Sequence, residues 1–215
     1  MPVKYPTELL EEKWNTYSHA LGAFLGMAGA FVLISGQEGD HQFWPILIYS
    51  ASVILLFFAS TWYHGARNPI LKKRLRTLDH ISIYYLIAGT YTPVCLWVLQ
   101  DSKGILLLYL VWGIALFGTV LKLFFTGRFE TFSLLLYGIM GWLVVIDLPY
   151  LIRAIPAKEL SLLGLGGAFY TLGILFYAIR RIPYNHLIWH FFVLGGAISH
   201  FYMIFLLLKH SQTPI

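Results

Sequence analysis

The sequence predicts an all-α integral membrane protein, a bundle of seven transmembrane helices, and three observations carry that reading. Hydrophobic residues make up 58% of the 215-residue chain and charged residues only 12%, against about 45–50% and 25% in soluble domains. The mean hydropathy is +0.70. The charged residues fall in short clusters between apolar runs of roughly 20 residues, the length that spans a hydrocarbon core about 30 Å thick. This composition excludes a disordered chain, and the single cysteine, Cys95, excludes a scaffold of intrachain disulfides.

The elements follow in chain order. Residues 1–14 are polar and acidic and lack the apolar region and cleavage site of a signal peptide, so the first span, about 15–36, is expected to stay as an anchor. Leu9, Leu10 and Trp14 set against Glu8, Glu11 and Glu12 make a short amphipathic stretch before it, suited to the membrane interface. Gly22 and Gly26, four apart, allow a close helix contact. The second span, about 43–64, ends Ser60-Thr-Trp-Tyr-His64, and the third, about 79–99, opens on Asp79-His80 and carries Pro93, where a kink is expected. The fourth covers about 104–125. The fifth, about 132–151, ends near Asp147, read as an interfacial carboxylate, and Pro149, a second place for a kink. The sixth covers about 160–179. The seventh, about 186–208, opens on His186-Leu-Ile-Trp-His190 and contains Gly195-Gly196, where it can bend. Short connections leave one domain, 1–215.

Cytoplasmic loops carry an excess of Lys and Arg. Alternate loops and ends hold eleven and four of them, which places the N-terminus and the second, fourth and sixth loops in the cytoplasm and the C-terminus outside. The chain is expected in the cell membrane. Its basic residues sit at segment ends rather than on one solvated face, so membrane lipid is the expected partner and nucleic acid is not.

Ionisable groups inside a bilayer are costly enough that each is a functional candidate. Of eight histidines, His41 and His210 fall in an outer loop and the outer tail, where they are solvated. His64, His186 and His190 come together at the cytoplasmic end. Residues four apart share a helix face about 6 Å apart in height, so His186 and His190 can point at one object, and Ser60 and His64 do the same on a helix of opposite direction. Three neutral imidazoles and a water make an open tetrahedral site of the catalytic kind, with Zn²⁺ the favoured ion and copper, iron or nickel compatible. Asp79, the acid at this depth on the third span, can orient that water and act as general base, or complete the shell as a ligand. Ser60 stands beside it. On the first span Glu12, Asn15, Ser18 and His19 form a stripe facing the same end, either supporting the ligands and contacting a substrate headgroup or capping the helix in the interface. His80 points about 100° away from Asp79 and is read as packing. His200 lies about 15 Å beyond His190 and cannot join the shell. The sequence has no Gly-rich phosphate loop, nucleophile elbow, HExxH or paired-cysteine motif.

These residues resemble a known superfamily. Ser-xxx-His ending the second span, Asp opening the third and His-xxx-His opening the seventh are similar to the shared pattern of the progestin and adipoQ receptors and the related alkaline ceramidases. The stripe Glu12-x-x-Asn15…Ser18-His19 and the stretch Asp79-His80-Ile-Ser-Ile-Tyr84-Tyr-Leu-Ile-Ala-Gly89-Thr-Tyr91-Thr-Pro93 look most like its bacterial hemolysin III branch. The resemblance covers nearly the whole chain. It implies a seven-helix bundle, a zinc ion on His64, His186 and His190, and Asp79 with Ser60 beside the metal's water. On function it implies less, since the ceramidase relatives cleave lipid amides while hemolysin III is named for lysing membranes.

Two functions are therefore expected in competition. One is a zinc-dependent intramembrane hydrolase of a lipid amide or ester. The other is a non-enzymatic protein that permeabilises or regulates the membrane, with zinc tying the ends of the second and seventh spans; no polar stripe runs the depth of a span, so a pore needs a homo-oligomer. A receptor ranks last, for want of an extracellular domain.

Overall fold

The computed structural model describes residues 6–179 and 181–210. Among them lie eight helices: α1 (Pro6–Ser35), α2 (Asp40–Gly65), α3 (Pro69–Pro93), α4 (Gly104–Phe125), α5 (Glu130–Trp142), α6 (Leu148–Ala154), α7 (Ala157–Ala178) and α8 (Asn185–His210). A π-helical turn, Val94–Val98, extends α3, and a 3₁₀ turn, Leu143–Asp147, joins α5 to α6, so the helices supply seven segments long and apolar enough to cross a membrane. The exterior is as apolar as the interior: Phe31, Tyr109 and Phe124 are each 74–75% exposed, an arrangement stable only against hydrocarbon.

Two spans start well before their apolar runs. α1 is continuous from Pro6, so the amphipathic stretch before Asn15 is the first turns of the same helix; the side chains of Thr7 and Glu8 lie outside the described residues. α3 begins at Pro69, ten residues ahead of Asp79. The Asn68 side chain accepts the Ile70 and Leu71 N–H groups, and Pro69 occupies the first turn, a cap and a proline start that overrule the charge of the next turns. Lys72, Lys73, Arg74 and Arg76 therefore ride on a helix rather than in a loop, and Asp79 sits in its interior.

The prolines and glycines act as follows. Pro93 is the last residue of α3 before the π-helical turn, and Pro149 stands in the first turn of α6 after the 3₁₀ turn. Asp147 is buried instead of interfacial: its oxygens accept from the Ser102 hydroxyl and the Lys103 N–H, both at 2.9 Å, capping the start of α4. Gly22 lies under the Phe57 ring and Gly26 against Val53, which brings α1 close to α2. Gly195 and Gly196 leave α8 unbroken and take aromatic rings from α7.

Lys122 is not a loop charge. It is fully buried on α4, and its Nζ donates to Glu130 Oε2 at 2.8 Å. Glu130, at the start of α5, also accepts from Arg76 of α3 at 3.4 Å and from the N–H of Gly127 at 3.0 Å, and lies 3.4 Å from His80 Nδ1. Gly127 takes φ +87°, in the left-handed region, which lets the turn fold back onto the carboxylate. His80 thus belongs to a partly buried charge network joining α3, α4 and α5.

Candidate metal centre

α2 ends and α8 begins at the same end of the bundle, and their histidines meet there. The ring centroids of His64, His186 and His190 form a nearly equilateral triangle, 4.8–4.9 Å on a side. One ligating nitrogen from each lies within 4.8 Å of the others. Zinc binds histidine nitrogen at about 2.0–2.1 Å, so small rotations of the rings close the triangle on a single ion.

The remaining ring nitrogens show that the triangle is oriented for this. His64 Nδ1 donates to Glu12 Oε2 at 2.9 Å, which leaves Nε2 as the free lone pair; that Nε2 is buried and has no hydrogen-bond partner. The Ser18 hydroxyl donates to the Asn15 carbonyl at 3.0 Å, so toward His190 Nδ1, 3.1 Å away, it accepts. His190 is thereby held with Nε2 bare. An oxygen behind each of these two imidazoles, His64 and His190, fixes tautomer and ring orientation and raises ligand basicity. Lys72 anchors the Glu12 carboxylate from α3 at 3.0 Å and stacks over Tyr63. The centre thus draws on four helices, and an orphaned buried nitrogen is what a divalent ion would satisfy.

The first-span stripe divides by role. Glu12 supports His64. Asn15 contributes its backbone carbonyl to the His190 side, while its own Oδ1 is buried without a partner. His19 stacks on His190 at 3.5 Å and 11° and packs edge-on against Phe57, and neither of its ring nitrogens has a hydrogen-bond partner. Among the described residues, neither His19 nor Asp79 belongs to the group whose ligand atoms converge.

Asp79 and Ser60, both buried, stand beside the triangle. Both line a cavity of about 450 Å³ that also receives His19, His186 and His190. From these polar groups the cavity runs along α3, α5, α7 and α8 between apolar side chains such as Ile87, Val145, Leu163 and Met203. The sequence spacing located Ser60, His64, Asp79, His186 and His190. The contact from Ser18 to His190 spans 172 residues and has no local signature beyond the spacing of the stripe.

The family profile described as "Haemolysin-III related" matches residues 7–201. The chain belongs to this family. Two relatives of this haemolysin III protein are bacterial: it is 39% identical over 197 residues to the hemolysin-3 homolog of Bacillus subtilis, covering 90% of this chain and 92% of the relative. It is 38% identical to hemolysin-3 of Bacillus cereus, covering 90% of each. The human monocyte to macrophage differentiation factor is 27% identical over 221 residues, 98% of this chain and 90% of its own. The family and the seven apolar helices make the chain a multi-pass membrane protein with a histidine cluster able to hold a metal ion.

One consequence concerns Glu12. Its substitution by Gln keeps the shape but weakens the acceptor behind His64, and metal affinity is expected to fall about 10–100-fold, measured by competition with a chromophoric chelator. Unchanged affinity would mean that His64 needs no such support.

Proposed function

We propose that this protein is a zinc-dependent intramembrane hydrolase acting on an amide or ester bond of a membrane lipid. The observation that carries the reading is that His186 and His190 of the histidine triangle line a largely apolar cavity with Ser60 and Asp79 on its wall. Three protein ligands leave a fourth position open, the mark of catalytic rather than closed structural zinc sites. A bound Zn²⁺ supplies Lewis acidity, polarising a carbonyl and bringing the pKa of water toward 7. The Asp79 carboxylate then takes the proton from the attacking water, and Ser60 holds the carboxylate in line for it. The apolar walls accept the acyl chain and exclude bulk water from the reacting centre.

The lipid enters between the fifth and sixth spans. Gly138 and Gly141 of α5 and Gly164 and Gly167 of α7 border the cavity, and a Cβ added at any of them would meet nothing within 4 Å. The metal end faces the cytoplasm of the cell membrane in this reading. With Lys122 buried against Glu130, ten basic residues against four still favour that orientation.

Asp79→Asn removes the base but keeps the size of the side chain. Lipid turnover is expected to fall about 10²–10⁴-fold with metal content unchanged, read by product analysis of a bacterial lipid extract alongside elemental mass spectrometry. Loss of the metal instead would make Asp79 a ligand. Zinc in the wild type without any turnover would favour the second reading, a permeabilising protein with a structural metal, which the names of the two Bacillus relatives support. That reading predicts dye release from vesicles that survives Asp79→Asn.

A further inference from the structure

The cavity has a second polar point, far from the metal centre. His200 stands ten residues along α8 from His190, about 15 Å further up the helix. It is 8% exposed, and its Nε2 lies 3.3 Å from the Leu163 carbonyl of α7. A carbonyl only accepts, so Nε2 carries the ring proton and Nδ1 presents a bare lone pair. That Nδ1 is buried and has no hydrogen-bond partner; neither has the Tyr170 hydroxyl, and both side chains line the cavity. Their rings are 5.5 Å apart.

The pair is seated rather than accidental. His200 fits where α7 has Gly166, whose Cβ would fall 2.2 Å from its Nε2, and Tyr170 fits where α8 has Gly196, whose Cβ would fall 2.7 Å from its ring. Each helix gives up a side chain to admit the other's polar ring. Buried polar groups are normally paired, and here one acceptor and one hydroxyl share an otherwise apolar wall.

We infer that His200 and Tyr170 recognise a hydroxyl group on the acyl chain of the lipid, which donates to His200 Nδ1 and accepts from the Tyr170 hydroxyl. The inference rests on the lipid reading of the cavity. With the chain's polar end at the histidine triangle, a separation of about 15 Å corresponds to roughly a dozen carbons of an extended zigzag chain, since C–C bonds of about 1.5 Å at angles of about 111° advance about 1.25 Å per carbon. The pair thus selects chains oxygenated near that position over plain ones.

The test is binding of stearic, 2-hydroxystearic and 12-hydroxystearic acids to the purified full-length, zinc-loaded protein in detergent, by displacement of a fluorescent fatty acid. The expected result is that 12-hydroxystearate binds about tenfold more tightly than the other two, as one buried hydrogen bond supplies. Tyr170→Phe, which removes one oxygen and leaves His200 Nδ1 as acceptor, should bind stearate like the wild type and show a reduced preference; the retained stearate binding shows that the variant is folded. Equal binding of all three acids to the wild type, as when ordered water already satisfies the pair, overturns the inference and leaves the lipid reading standing. A preference undiminished in Tyr170→Phe also overturns it. If none of the three acids binds, the lipid reading fails and takes the inference with it.

Discussion

His64→Ala is expected to bring the zinc content of the purified protein from near one ion per chain to less than about a tenth of that. A three-histidine site that loses one ligand retains two donors, both on α8, and structural zinc sites owe apparent binding free energies of about 10–16 kcal/mol to the full set. The loss should also remove the stabilisation that any ligand of the native state confers, which grows as RT ln(1 + [L]/Kd). A strong chelator should therefore lower the melting temperature of the wild type and leave that of His64→Ala unchanged. This second comparison separates loss of metal from damage to the fold. Alanine also withdraws the Nδ1 donor from Glu12, but Lys72 still holds that carboxylate at 3.0 Å, so α1 and α3 remain tied. Equal zinc in the variant and the wild type would remove the histidine triangle as the metal site.

The triangle was legible in the sequence because its information is local. An i, i+4 pair of histidines and an i, i+4 pair of serine and histidine fix two helix faces, and the alternation of apolar runs puts those faces at one end. The seven spans were legible for the same reason: hydropathy reads composition within a window. Their starts were not, because the window penalises charge that a helix carries at its ends. The first turns of α3 hold Lys72, Lys73, Arg74 and Arg76, and only the Asn68-Pro69 pair marks the true start. That cap signal was present in the sequence and weaker than the charge beside it.

What stayed hidden is the set of contacts between distant segments. Glu12 and His64 are 52 residues apart and Ser18 and His190 are 172 apart, and each decides which nitrogen faces the metal. Asp147 reads as interfacial from its place near the end of a span, yet the loop before α4 folds over it and supplies two donors. The sequence sets His200 only outside the metal shell and marks Tyr170 not at all, whereas the structure seats each against a glycine of the facing helix, Gly166 and Gly196. In each case the residue type announced a polar group in an apolar run, while its partner came from another helix.

The same holds for Lys122, which reads as a cytoplasmic charge and is in fact sealed inside the bundle. Its variants should behave asymmetrically. Glu130→Ala leaves a fully buried ammonium without the acceptor at 2.8 Å, and breaking a buried pair from one side costs about 3–5 kcal/mol. At about 2–4 °C per kcal/mol for a chain of this size, the melting temperature should fall by about 6–20 °C. Lys122→Met removes the buried charge instead. Glu130, which is partly solvated, keeps Arg76 and the Gly127 N–H, and methionine fills the space with an apolar stem, so the change should stay below about 1.5 kcal/mol in either direction. Cys95 reports the transition directly: it is the only cysteine and is 0% exposed, so a thiol-reactive dye fluoresces only as the bundle opens. Equal loss in the two variants would mean that the network stabilises the fold through packing rather than through compensation of the Lys122 charge. A Lys122→Met/Glu130→Ala double variant more stable than Glu130→Ala alone would locate the cost in that stranded charge.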